Sequence, residues 1–201
     1  PYSFSVAGKK ALKQARKTIA HRIGALPEEI YFTSGGTESD NWAIKGIMAG
    51  SHGSMITSQI EHHAVLHACN AMERLGVRVE YLPADRNCMV QPEALKERIT
   101  QNTRLVSVMM ANNEVGSVQP IAELSRIAHE NGALFHTDAV QAVGHMETDV
   151  NYLEIDMLSA SAHKFNGPKG IGFLYIRKGT AIQPYADGGA QEAGLRAGTG
   201  L

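Results

Sequence analysis

Short apolar runs alternate with helical stretches almost from end to end of this chain, and that alternation constrains the fold more than any other feature. "EIYFTS", "SMITS", "VRVEYL", "RLVSVMM", "ALFHTD", "EIDMLSA" and "GIGFLYI" read as strands. Between them, "GGTESDNWAIKGIMAG", "HHAVLHACNAMERLG" (closing at Gly76), "PEALKERI" and "PIAELSRIAHENG" carry helical periodicity. Ahead of all of these, "GKKALKQARKTIAHRIG" places Leu12, Ala15, Ile19 and Ile23 on one helical face. Strands separated by helices predict βαβ units, so the fold class is α/β: a mostly parallel sheet flanked by helices.

Composition narrows the setting. With 201 residues, 43% of them hydrophobic and 19% charged, the chain is long enough for one sizeable core in one globular domain. A formal net charge of −1 gives no pull toward nucleic acid or an anionic membrane surface. No apolar run reaches the roughly 20 residues of a membrane span, and "PYSFSVAGKK" is not a signal peptide. Two cysteines, Cys69 and Cys88, make neither a disulfide framework nor a zinc knuckle, so a reducing cytoplasm is the simplest compartment.

In a parallel sheet, ligands bind beyond the carboxyl ends of the strands. The chemistry-bearing residues fall there: "SGGTESDN", "SQIEHH", "ANNEVG", "TDAVQ" and "SAHKFNG" each follow a strand. These loops are expected to converge on one rim. "TSGGTESDN" can present free helix-start N–H groups to an anion, with Gly35 and Gly36 allowing close approach and Thr37 adding a hydroxyl; Thr37 as a plain helix cap is the alternative. It is neither a Walker A loop nor a dinucleotide fingerprint. Asp138, ending an apolar strand, either caps the following helix or accepts from a protonated ring nitrogen. Lys164, in "SASAHKFNGPKG" (159–170), sits in a tight connection at a sheet edge; it is a surface charge unless its amine serves as a nucleophile. Together, an anion cradle, a lysine and a strand-end carboxylate meet the needs of pyridoxal phosphate. His62 can stack on a planar ring or move protons. His63 and His67, one turn apart with Glu61, could bind a metal, but no HExxH pattern occurs and no metal is expected.

Six blocks in order, "FTSGGTESDNWAIKG", "EHHAVLHAC", "MMANNEVGSVQPI", "HTDAVQAVG", "SASAHKFNGPKGIGFLYIRKG" and "GGAQEAGLRAGT", resemble the cysteine desulfurases of aminotransferase class V. The resemblance implies the large domain of a fold type I pyridoxal phosphate-dependent transferase. Lys164 would hold the cofactor covalently, Asp138 would pair with its ring nitrogen, and His62 would stack on the ring and assist proton transfer. Gly36, Thr37, Ser161 and His163 would bind the phosphate. Asn113 and Gln141 would lie near the ring, Gln141 toward its phenolic oxygen. Thr199 would reach the partner subunit's cofactor, implying a homodimer. The implied reaction takes sulfur from L-cysteine, leaving L-alanine and an enzyme persulfide, for a sulfur-acceptor protein serving iron–sulfur cluster assembly or tRNA thiolation. Selenocysteine lyase, cysteine sulfinate desulfinase and a non-catalytic cofactor-binding or dimerisation piece remain open.

The resemblance further implies that residues 1–201 are an incomplete large domain, lacking an N-terminal segment and a small C-terminal domain. That small domain would carry the sulfur-accepting cysteine and the substrate-binding arginine, so the piece alone would be inactive. Cys69 and Cys88 do not match the sulfur-accepting position and are expected to be structural. Gly36 and Ala193 depart from the family, which commonly has alanine and a charged residue there.

Overall fold

A computed structural model of the chain describes residues 3–198. Its strands are β1 (Ile30–Thr33), β2 (Ser54–Ser58), β3 (Val79–Leu82), β4 (Thr103–Ser107), β5 (Leu134–Asp138), β6 (Met157–Ser161) and β7 (Gly172–Ile176). The helices are α1 (Ser3–Arg22), α2 (Gly36–Met48), α3 (His63–Arg74), α4 (Pro92–Arg98) and α5 (Ile121–Glu130). The strands form one seven-stranded sheet in the order β1-β7-β6-β5-β4-β2-β3. Only β7 runs against the rest: β2 through β6 pair in parallel, and β1 and β6 are each antiparallel to β7.

Successive residues of a strand face opposite sides, and each side has its own helices. Met55, Leu105, Met157, Leu174 and Ile176 pack with Trp42, Ala43 and Ile44 of α2 and Val65, Cys69 and Met72 of α3. Their neighbours Ile56, Val106, Leu158, Phe173 and Tyr175 turn the other way, onto Ala20 of α1, Ile23 just beyond its end, Leu95 of α4 and Leu124 and Ile127 of α5. Both faces are therefore dry, which is why the strands read as apolar runs rather than as strict alternation.

The first helix departs from expectation. Ile23 is buried and Ile19 packs against the core, but Leu12 is 46% exposed and Ala15 is exposed too. Only the last turns of α1 reach the sheet; earlier ones find no apolar partner among the described residues. No helix among those residues is long and apolar enough to cross a membrane.

Pairing aligns the strand ends. Thr33 and Ser161 both sit opposite Gly172, and Asp138 sits opposite Ser159. The carboxyl ends of β1, β2, β4, β5 and β6 thus share one rim, and the polar loops that follow them meet there.

Candidate active site

That rim holds a cavity of about 280 Å³, lined by Gly36, Thr37, Asp40, His62, Met109, Asn113, Asp138, Val140, Gln141, Ser161, His163 and Lys164. Every residue to which the resemblance gives a cofactor role lies on this wall except Thr199, which falls outside the described residues; Gly35, Glu61, His63 and His67 do not line it.

α2 opens the cavity on one side. Its N-cap is Gly35, at φ +149° and ψ −175°, a conformation that side chains with a Cβ avoid. No side chain caps the helix, and Thr37, the alternative cap, is instead inside its first turn. The first N–H groups of a helix have no partner within it, so this start is free to bind an anion. Gly36 lets it do so: a Cβ there would stand 2.6 Å from Val140 Cγ2. Across the gap, Ser161 Oγ is 3.0 Å from His163 Nδ1, setting a hydroxyl and an imidazole opposite the helix start.

Lys164 lies in a one-turn helix, Ala162–Phe165, closed by Asn166 in the left-handed conformation at φ +65°. This connection joins two interior strands, so it stands on the rim rather than at the lateral edge of the sheet. The Lys164 side chain is exposed, and its carbonyl accepts from His145 Nε2 at 2.7 Å.

Asp138 is 4% exposed. Its Oδ1 accepts from the Val140 N–H at 2.9 Å across a turn, and no helix directly follows β5 for it to cap, against that expectation. Burial raises its pKa, against the Val140 bond and the nearby His62 imidazole. A dry carboxylate with remaining acceptor capacity suits a cation in the cavity, whose charge would draw the pKa down again.

His62 caps α3, its Nδ1 accepting from the Ala64 N–H at 3.1 Å. That bond assigns the proton of the neutral ring to Nε2 and leaves this atom free to exchange it. His63 and His67 stack at 5.5 Å on the exposed side of α3 and do not line the cavity.

Sequence reasoning missed Asp40, which is 1% exposed and lines the same cavity. It falls three residues after Thr37 in the apolar stripe of α2, and that spacing is the signal that could have revealed it. Glu61 was weighed only as a metal ligand. It is buried, accepting from Ser58 Oγ at 2.5 Å and the Met109 N–H at 2.9 Å, and burial pushes its pKa up to about 8. Ligand atoms of Asp40, His62 and Asp138 lie within 4.8 Å of one another. Two ionised carboxylates at that separation repel by roughly 3 kcal/mol at an effective dielectric of 20.

The donor set fits pyridoxal phosphate: a cradle that a Cβ would crowd, an uncapped helix start, a primary amine and an acid deep in the wall. Cys69 is buried in α3, where burial raises its thiol pKa to about 12, and neither cysteine lines this cavity.

Comparison with known proteins agrees with the geometry. The chain is 56% identical over 203 residues to the cysteine desulfurase IscS of Methanosarcina thermophila, covering 98% of this chain and 50% of that protein. It is 53% identical to the IscS of Dictyoglomus turgidum, with 98% and 51% coverage. It therefore spans about half the length of the curated relatives it matches. A structure described as SspA in complex with cysteine superposes with a TM-score of 0.95 at 42% identity, covering 100% of this chain and 59% of the other. A NifS-like protein gives 0.95 at 41%, with 99% and 56% coverage. The aminotransferase class V model matches residues 2–199, and the chain belongs to that family.

Proposed function

We propose that residues 1–201 are the cofactor-binding large domain of a pyridoxal phosphate-dependent cysteine desulfurase. The observation that supports this most directly is the convergence of Lys164, Asp138, His62 and the uncapped start of α2 on one cavity. The named relatives support the choice of L-cysteine as substrate, since two are cysteine desulfurases and one neighbour is described as a complex with cysteine.

When bound, pyridoxal phosphate supplies an aldehyde for an amine and a ring that accepts the electron pair released at the substrate's α-carbon. Gly36 and Thr37, with Ser161 and His163, hold the phosphate. Asp138 keeps a proton on the ring nitrogen. Lys164 would hold the aldehyde through its side-chain amine, a group that can also carry a proton. His62, with its Nδ1 occupied, would exchange a proton through Nε2, while Asn113 and Gln141 would orient the ring.

Neither Cys69 nor Cys88 lines this cavity, and we assign the sulfur-accepting role to neither. A homodimer, with Thr199 reaching the partner's phosphate, completes the proposal. The sulfur then passes to an acceptor protein for iron–sulfur cluster assembly or tRNA thiolation, in the cytoplasm.

Absorption of the full-length protein with added pyridoxal phosphate tests the assignment. A yellow, lysine-linked band is expected, and Lys164→Ala should abolish it. A Lys164→Ala protein that keeps the covalent cofactor would refute the role of this lysine.

A further inference from the structure

α2 sends a second carboxylate to the ring-nitrogen end of the cavity. Asp40 shares the helix face of Gly36 and Thr37, and it is enclosed more completely than Asp138, at 1% against 4% exposure. Its Oδ1 has no hydrogen-bond partner among the described residues. The imidazole nearest to it, His136, stands 3.8 Å away at Nε2, too far for a hydrogen bond. That ring is already engaged on both sides, Nε2 at 2.9 Å from Ser159 Oγ and Nδ1 at 2.8 Å from Ser107 Oγ. Burial pushes the His136 pKa down to about 3, so the ring is neutral and offers Asp40 no charge.

The titratable groups around Asp40 come from three directions. β5 contributes Asp138 and His136, the loop before α3 contributes Glu61 and His62, and the turn after β6 contributes Lys164 on the cavity wall. Two carboxylates this close and out of water carry one negative charge between them, because the second ionisation works against the first. The two members are not equivalent. Asp138 accepts a backbone N–H and faces His62, whereas an ionised Asp40 would bury its charge with its own Oδ1 unpartnered.

We propose that Asp40 is the neutral, proton-holding member of the pair, a positioning residue that confines the negative charge to Asp138 and hence to the cofactor's ring nitrogen. This rests on the pyridoxal phosphate reading of the cavity. The direction of the Asp40 pKa agrees: burial first, then the charge on Asp138, raise it well above an ordinary carboxyl, with the Ser159 hydroxyl opposing. As an acid, Asp40 has an O–H to give, with Ser159 Oγ beside it and an Asp138 carboxylate oxygen within 4.8 Å.

The test uses the full-length protein and its Asp40→Asn, Asp40→Ala and Asp138→Asn variants. Three quantities are read: pyridoxal phosphate affinity, the pH profile of its visible band, and the pH dependence of thermal stability before cofactor is added. A parent protein that forms no band sinks the cofactor reading itself; a parent that forms one isolates Asp40. Asp40→Ala should weaken the cofactor about tenfold, the cost of one hydrogen bond to a charged group. Asp40→Asn, neutral and of the same shape, should recover most of that loss and keep the parent's band profile.

In the cofactor-free protein the sign runs one way. Folded Asp40 keeps a proton that the unfolded chain releases above about pH 4, so it makes stability fall as pH rises from there. Asp40→Asn should flatten that fall. The proposal is overturned if Asp40→Asn moves the band profile as Asp138→Asn does, if it leaves the stability slope of the parent unchanged, or if Asp40→Ala binds as tightly as the parent. Should Asp40→Ala not fold, the two Asp40→Asn readouts decide alone.

Discussion

Arg16, late in α1, grips Glu192 through two parallel bonds, Nη1 to Oε2 at 2.9 Å and Nη2 to Oε1 at 2.8 Å, across 176 positions of sequence. Glu192 Oε2 also accepts the Phe32 N–H at 2.9 Å, and the guanidinium lies 4.6 Å over the Phe32 ring while donating to the Ile30 carbonyl. A second clasp, Arg196 Nε to Glu38 Oε1 at 2.7 Å, ties the same segment to the first turn of α2. Residues 191–197 are thereby held beside the start of α2.

Removing the first clasp should loosen that segment. Glu192 is 15% exposed at its side chain, and its loss strands both a guanidinium and a backbone N–H, so Glu192→Ala should cost about 2 kcal/mol. A double-mutant cycle with Arg16→Ala, read by urea denaturation, should show coupling on the order of 1 kcal/mol. Strictly additive losses would show that the pair is incidental.

Much of the molecule was readable because its physics is local. The interior strands are mostly buried apolar runs, the edge strands β1 and β3 are half-buried, and most helices repeat at their own period, so element order and layers followed. What was not readable depended on neighbours. Nothing in "GIGFLYI" says that β7 runs backwards; the clue is the short connection of residues 162–171, which leaves little room for a crossover helix. Nor could β1 be placed beside β7 from its own four residues. Leu12 and Ala15 follow a helical stripe, yet the sheet ends before reaching them. In the site, the residues just after strands announced themselves by breaking apolar runs. Asp40 did not, because acidic residues early in a helix are already accounted for by the helix dipole.

Gly36 offers a second test, since the resemblance leads one to expect alanine there. A methyl group would meet Val140 Cγ2 at 2.6 Å and Ser161 Cβ at 3.7 Å. Val140 is stiff, and its N–H serves Asp138, so relieving the clash by moving Val140 disturbs Asp138 as well as the start of α2. Gly36→Ala should weaken pyridoxal phosphate about tenfold, in line with the usual cost of overpacking. Adding Val140→Ala should restore binding, because the shortened side chain vacates that volume. Cofactor titration of both proteins checks this; a double variant as weak as Gly36→Ala would place the defect elsewhere.

His136 should dominate the acid limb of stability. It is fully enclosed, bonded to Ser107 and Ser159, and burial depresses its pKa to about 3. The unfolded chain takes up this proton near pH 6.5, while the folded protein refuses it until near pH 3. Between those limits the unfolded state binds one more proton, so stability is present above about pH 6.5 and falls by roughly 1.4 kcal/mol for each unit of acidification. Asp40 and Glu61, with raised values, act in the opposite sense over part of this range, so the slope of the parent alone is not diagnostic. The difference between parent and His136→Gln is. Gln can bond both serines but cannot titrate, so urea unfolding of the cofactor-free proteins at pH 7 and pH 5.5 should show the variant losing about 1.3 kcal/mol less than the parent on acidification. Equal losses would mean that this imidazole accepts its proton without unfolding.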